Sequence, residues 1–379
     1  MTSHAHAQAA RLGVLEGPLR GYHREWYVVR SSGELAELGR LKVGEPREGV
    51  LWFDRRCFPS EEALLMELAG REVPRIPPVR RIGTDGPAIH GFVEGSTLAE
   101  LAPSGRPVDR HHVDQIMELF RGLAGVRPGD LSLMPAGSEG GDGEAPVQDR
   151  DSAGFLTGLL RFTREHGYTR RRPEYGRLFD RLGVPAHAFD DASQLGVQAA
   201  QLTERPFCLL HGDLHRENFI VDPSDGLWTI DWELATIGDP LYDLATHLHL
   251  MHYPSEQEKE VVARWCGVME EALPGATAAL DPDLDRYLRF KRVQSVCTDV
   301  VRHAAAVRDA RPARRAEQLG ATATSVHRIL LRAAEALGLP EVPSPGTVEE
   351  IYAALPPAAP GPDRTGPDRS TGSCGAAIT

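Results

Sequence analysis

Residues 211–231, HGDLHRENFIVDPSDGLWTID, constrain the chain more than any other stretch. Two short apolar runs, FIV and LWTI, flank a turn of Pro223, Ser224, Asp225 and Gly226, which predicts an antiparallel hairpin. With Asp222 facing Leu227, cross-strand pairing sets Asn218 opposite Asp231. Opposed residues carry Cβ atoms about 4.5–5.5 Å apart. Two hard oxygen ligands are therefore expected at one end of the hairpin, as a magnesium ion beside phosphates requires, with Asp213 on the loop leading in.

The stretch has a rival reading. His211, Asp213 and His215 alternate, and a strand would put all three on one face, as in a metal-dependent hydrolase. That strand must run through Gly212 into Arg216, Glu217 and Asn218, which are poor strand formers. Only HLHLMH (247–252) is available to complete a dinuclear site, and it has a simpler account. Asp239 and Pro240 make a helix N-cap and first turn, and Leu241, Leu244, Ala245, Leu248 and Met251 form one helical stripe, with the histidines off the core face.

At 379 residues the chain exceeds one compact core and fits two lobes. Its net charge of −12 argues against a nucleic-acid partner and favours a cationic small molecule. No apolar run approaches the roughly 18–20 residues of a membrane span, and MTSHAHAQAARLG has no signal-peptide core, so a cytoplasmic protein without a membrane partner is expected. The five cysteines form no CxxC pair, which predicts reduced thiols.

The first ninety residues read as short strands, including REWYVVR and GVLWF, around one helix, SEEALLMELAG. GFVEGSTLAEL reads as a strand turning into a helix with Ser96 as N-cap. Further helices are expected at about 108–125, 152–166, 188–203, 256–273, 284–308 and 312–337. The segment 135–151, glycine-rich and acidic, reads as a surface loop, and the proline- and glycine-rich end from 343 to 379 as disordered. The sum is an α+β chain: a lobe at 1–91, a hinge at 92–95, a helical lobe at 96–342, and a ligand cleft between the lobes.

HGDLHRENF (211–219) and IDWELATIGDPLYDLA (230–245) resemble the catalytic core of the aminoglycoside phosphotransferase and choline kinase superfamily, small-molecule relatives of protein kinases. Asp213 and Asn218 keep the five-residue spacing of the protein-kinase catalytic loop. The resemblance implies a bilobal protein-kinase-like fold, with a small antiparallel β-sheet N-lobe holding one helix and a larger, mostly helical C-lobe. It implies Asp213 as catalytic base or hydroxyl orienter, His211 as loop organiser, Asn218 and Asp231 as Mg²⁺ ligands, and Asp239 as a brace for the loop as well as a helix cap. His215 is open between phosphate approach and loop packing, and Glu233 between a contact behind Asp231 and solvent; Asp243 reads as structural.

Such an N-lobe needs a lid, a phosphate-binding lysine and a helix glutamate. LEGPLRGYHREWYVV (15–29) has the strand-turn-strand pattern of the lid without GxGxxG. Lys42 is the only lysine before the cleft, with Arg55 or Arg56 as substitutes; a solvated strand-edge lysine is the plain alternative. Glu61 shares the apolar helix stripe with Leu65 and Leu68 while Glu62 turns away, so Lys42 is paired with Glu61. Phe92, Val93 and Glu94 match the family hinge, whose backbone holds the purine edge; ATP is the expected donor, with GTP open.

The acceptor is expected to be a hydroxylated small molecule. YTRRRPEYGR (168–177) is a solvated basic run or a clamp for an acidic group, and spacing does not bring Asp190, Asp191 or Glu270 to a cleft. Three of the 42 basic residues are lysines, and Ala, Gly and Pro abound, as in GC-rich genomes where antibiotic-modifying kinases are frequent. The expected activity is phosphorylation of an antibiotic hydroxyl, aminoglycoside or nucleoside; the alternatives are a choline, sugar or amino-sugar kinase and a non-catalytic pseudokinase.

Overall fold

The computed structural model describes residues 4–20, 24–47, 56–81, 88–133 and 148–356. The strand expected at 49–53, Arg55, most of the 135–151 loop and the chain beyond 356 lie outside them. Helix α1 (His4–Leu12) leads into strands β1 (Gly13–Arg20), β2 (Arg24–Ser31) and β3 (Arg40–Pro46). Helix α2 (Glu61–Leu68), β4 (Val79–Arg81) and β5 (Ala88–Gly91) follow, and the strands form one antiparallel sheet ordered β1-β2-β3-β5-β4.

Strand alternation gives this sheet two faces. Tyr27, Val29, Leu41, Val43 and Ile89 bury one face against Ala5 and Ala9 of α1. Trp26, Val28, Lys42, Gly44 and His90 alternate with them and share the other face. The lobe thus has two helices where the sequence reading has one. The contact surface of α1 is two buried alanines and the partly buried Leu12, too little apolar area to register as a stripe. In α2, Ser60 caps the N-terminus by accepting from Ala63 N, and Glu61, Leu64, Leu65 and Leu68 are buried.

After the hinge come β6 (Ser96–Thr97), α3 (Leu98–Leu101) and α4 (Arg110–Ala124). Thr97, one residue past the expected cap, forms a reciprocal capping box with Glu100. Helices α5 (Ser152–Phe162), α6 (Arg172–Arg181) and α7 (Gln194–Ala199) precede β7 (Cys208–Leu210), β8 (Phe219–Val221), β9 (Leu227–Thr229) and β10 (Thr236–Gly238). The chain continues through α8 (Pro240–Met251), α9 (Ser255–Ala272), α10 (Leu280–Asp309), α11 (Arg315–Leu337) and α12 (Pro345–Ala353).

Three elements differ from expectation. The helix expected over 188–203 shrinks to α7, because Ser193 caps it late by accepting from Gly196 N. Helix α6 forms where a basic run was read, since Pro173 falls in its first turn, where proline is tolerated. The end of the chain is ordered through α12: Ser344 caps it, and Val348, Ile351 and Tyr352 are buried on one face, with the Tyr352 hydroxyl donating to Val300 O at 3.0 Å.

The chain divides into two compact units, Met1–Phe155 with Thr203–Leu284 and Leu156–Leu202 with Asp285–Thr379. The first holds the five-stranded sheet, the hinge segment and strands β6 to β10 together. The second is helical throughout its described part, with a π-helical turn at Thr163–Tyr168. No described helix is long and apolar enough to cross a membrane.

Candidate active site

The loop between β7 and β8 carries Asp213, and each end of it is tied down. Strand β7 is buried and pairs with β10, Leu210 opposite Thr236. Gly212 then reverses the chain at φ +81°, and a Cβ there would lie 2.6 Å from Leu234 O. Asp243, in the first turn of α8, accepts from His211 N at 3.0 Å and Gly212 N at 2.8 Å. The His211 ring takes Asp213 N on Nδ1 (3.3 Å) and donates from Nε2 to Ile230 O (3.2 Å). It is fully buried, and burial pushes its pKa down to about 4, so the neutral ring is a linker between loop and hairpin. A second histidine, His247, holds Leu214 O from α8 through Nδ1 at 3.0 Å and meets the Tyr253 hydroxyl through Nε2. This corrects the reading of the HLHLMH histidines as off the core: His247 is fully buried.

Asp213 itself is a quarter exposed. Its Oδ2 accepts from Asn218 Nδ2 at 3.1 Å and lies 3.3 Å from His215 Nε2. His215 both caps the Arg216–Asn218 turn and pairs with Asp213, so its loop-packing reading holds. Burial lowers its pKa, but the Asp213 carboxylate, then Asp231 and Glu217, outweigh burial and raise it. Arg216 is buried and ties this turn to the carbonyls of Met251 and Arg106.

The hairpin forms one residue out of the expected register. Val221 faces Leu227, Phe219 faces Thr229, and Ile230 N bonds to Asn218 O at 2.9 Å. The turn therefore spans Asp222–Gly226, with Asp225 at φ +65° and Asp222 Oδ1 accepting from Ser224 N and Gly226 N. Asn218 is level with Ile230, and Asp231 turns toward the loop through a left-handed backbone, φ 65° and ψ 67°. Asparagine and aspartate adopt that conformation more readily than other side chains do.

Asp231 is packed closely yet open to solvent, and its pKa is raised to about 7 by burial and by the negative charges of Glu61, Asp213 and Glu233, with Lys42 opposing. The charges of three other acids thus act on Asp231. Asn218 commits its amide nitrogen to Asp213, which leaves its amide oxygen as a ligand atom. Among the described residues no three His, Cys, Asp or Glu side chains form a protein-only metal cage. An amide oxygen and a carboxylate are instead the hard pair that a magnesium ion combines with phosphate oxygens and water, and the crowded acids fit a divalent cation.

Opposite them, Lys42 projects from β3 with its Nζ 3.7 Å from the centre of the Trp26 ring. Burial pushes its pKa down, Glu61 and then Asp231 push it back up, and Arg24 adds to the lowering. Glu61 is buried as expected, but no carboxylate lies within 4 Å of Lys42 among the described residues. Glu61 Oε1 instead accepts from Trp232 N at 3.1 Å, and Arg24 Nη1 lies 3.9 Å from Oε2. Glu62, read as turned away, faces inward as well: Arg24 Nη2 is 2.7 Å and His90 Nε2 3.3 Å away, and together they hold its carboxyl well below the usual range despite burial. The Glu233 side chain is buried between Arg56, at 3.0 Å, and Arg24, at 3.8 Å, and is not a solvent group.

In the hinge, Phe92 N donates to Arg40 O at 3.0 Å, and the Arg40 guanidinium stacks 4.2 Å above the Phe92 ring while binding the Glu94 carboxylate at 2.7 Å. Val93 and Glu94 make no backbone hydrogen bond among the described residues, which leaves their amides and carbonyls available to a flat polar edge. Next to this segment, Ser96 pairs with Val221 and Thr97 with Ile220, which joins β6 to the hairpin.

Elsewhere, Asp190 and Asp191 face Arg164 and Arg161, and Glu270 caps a turn through Gly275 N and the Thr277 hydroxyl. The basic run pairs internally, Arg170 with Glu165 and Arg172 with Asp180. Sequence reasoning passed over Arg24 and Arg205. Arg205 is wholly buried between Asp239 and Asp283, and no local spacing marks it.

The profile of the phosphotransferase enzyme family matches residues 22–280, more than half of the chain. Acyl-CoA dehydrogenase family member 11 of Mus musculus is 46% identical over 48 residues, which cover 12% of this chain and 6% of that protein's length. A choline/ethanolamine kinase family protein from Mesorhizobium loti superposes with a TM-score of 0.48 at 16% identity, over 91% of this chain and 98% of that one. A thermostable mutant of aminoglycoside phosphotransferase APH(4)-Ia, in ternary complex with AMP-PNP and hygromycin B, gives 0.49 at 15% identity, over 93% and 98%. By the extent of the family match, which includes strands β2 to β5 and the Asp213, Asn218 and Asp231 segment, the chain belongs to the phosphotransferase enzyme family.

Proposed function

We propose that the protein transfers the terminal phosphoryl group of ATP to a hydroxyl of a small natural product, an antibiotic of aminoglycoside or nucleoside type, in the cytoplasm. The observation that carries this reading is the junction of Asp213, Asn218 and Asp231 at the mouth of one hairpin, facing Lys42. A net charge of −12 supports a cationic acceptor.

In this reading Asp213 receives the acceptor hydroxyl. Asn218 and His215 hold its carboxylate in one orientation, so the hydroxyl's lone pair points along the line of transfer. Asn218 and Asp231 hold Mg²⁺, which neutralises charge on the transferring group when bound. Lys42 answers the remaining phosphate charge, and Phe92, Val93 and Glu94 offer the purine edge their backbone. His211 stays neutral and touches no substrate; it positions Asp213.

Asp213→Ala is expected to bind Mg-ATP as the wild type does and to lose roughly 10²–10⁴-fold in turnover. Titration calorimetry and a coupled ADP assay check both halves, and unchanged turnover ends the assignment. Expression in a sensitive strain against a panel of hydroxylated antibiotics tests the acceptor class; protection against none of them turns the search to metabolite acceptors.

A further inference from the structure

Arg24 stands first in β2, on the sheet face that also carries Trp26 and Lys42. Its guanidinium lies 4.7 Å from the centre of the Trp26 ring, and Lys42 Nζ lies 3.7 Å from the same ring. Two cations beside one ring repel each other, and an anion that binds both relieves the repulsion.

Arg24 is poorly satisfied where it stands. Nη2 makes one short ion pair, with Glu62 at 2.7 Å, and a 3.3 Å hydrogen bond to Gly44 O. Nη1 stops 3.9 Å from Glu61 Oε2, and Nε, buried and 3.8 Å from Glu233 Oε1, has an ion-pair neighbour but no hydrogen-bond partner. Glu61 Oε2 is likewise buried and without a hydrogen-bond partner. A guanidinium has five donors in a fixed fork that matches two phosphate oxygens, and a buried carboxylate oxygen needs a donor of its own. Both deficits disappear if Arg24 turns to phosphate and Lys42 takes Glu61.

We infer that Arg24 is a second phosphate-binding cation of the donor site, held in reserve on Glu62 and Glu61, and that its transfer to the donor's phosphates frees Glu61 for Lys42. This rests on the donor-site reading proposed above. Glu62 is then a competitor of the nucleotide for Arg24, and the lid hairpin and α2 respond to the same ligand through one side chain.

The test is titration calorimetry of the full chain with Mg²⁺ and either AMP-PNP or adenosine, on wild type, Arg24→Gln, Arg24→Lys and Glu62→Gln, each checked for folding by thermal melting. Arg24→Gln is expected to weaken AMP-PNP about tenfold to a hundredfold, with adenosine held within about twofold, and Arg24→Lys to recover part of the loss. Glu62→Gln is expected to tighten AMP-PNP, since it removes the competing carboxylate. Wild-type AMP-PNP affinity in Arg24→Gln, equal losses for AMP-PNP and adenosine, or weaker AMP-PNP binding in Glu62→Gln each overturns the inference. If Arg24→Gln fails to fold, the Glu62→Gln arm decides. A wild-type chain that binds no AMP-PNP fails at the earlier step, overturning the donor-site reading and the inference with it.

Discussion

Asp231 reaches the site through one backbone torsion. The hairpin pairs a residue away from the register that would set it opposite Asn218, and Asp231 itself takes a left-handed backbone. Residue type and spacing were legible in the sequence, whereas the route was not, because turn composition does not distinguish a four-residue from a five-residue loop. Close packing, then the charges of Glu61, Asp213 and Glu233, push the Asp231 pKa up to about 7. Its raised pKa adds stability that is complete below the unfolded carboxylate pKa of about 3.9 and is lost as pH rises toward 7. Buried His211, lowered to about 4, has the opposite sign: its share is present above about 6.5 and fades as pH falls. Melting curves from pH 4 to 8 are therefore expected to show a falling component that Asp231→Asn abolishes and Mg²⁺ flattens. The same variant is expected to lose metal-dependent nucleotide binding; one that retains it removes Asp231 from the metal site.

At the scale of elements, the catalytic loop hangs from α8. Asp239 and Asp243 are both in the first turn or cap of that helix, and the resemblance to kinases points to Asp239 as the brace. The structure divides the work differently. Asp243 accepts the two loop amides, while Asp239 caps the helix through Leu241 N and binds Arg205. Asp243→Ala strands two buried donors, each costing about 1–3 kcal/mol, and urea unfolding is expected to show a loss of that order. A midpoint within error of wild type would mean that water replaces the carboxylate. The helix itself was readable from Pro240 and its leucine stripe; which acid turns toward the loop depends on how α8 packs on β7, and sequence spacing does not carry that.

Across the whole first unit, Arg205 joins Asp239 at the head of α8 to Asp283 in the first turn of α10, all three side chains fully buried. Removing one member leaves a buried charge uncompensated, so Arg205→Ala is expected to cost about 3–5 kcal/mol by chemical denaturation; a loss below about 1 kcal/mol would show the cluster to be solvated. The sequence by itself determined the hairpin, the helices α4, α8, α9 and α11, and the residues Asp213, Asn218 and Asp231. Turn chemistry, caps and apolar periodicity act within a few residues and leave their pattern in the chain. Only the tertiary structure decided that α1 covers the sheet through Ala5, Ala9 and Leu12, that His247 is a core residue, that α12 is ordered, and that Arg24 rather than Lys42 stands beside Glu61. Those outcomes depend on which distant segments meet, as where Glu61 bonds Trp232 N across 171 residues, and a contact between two segments has no periodicity in either one.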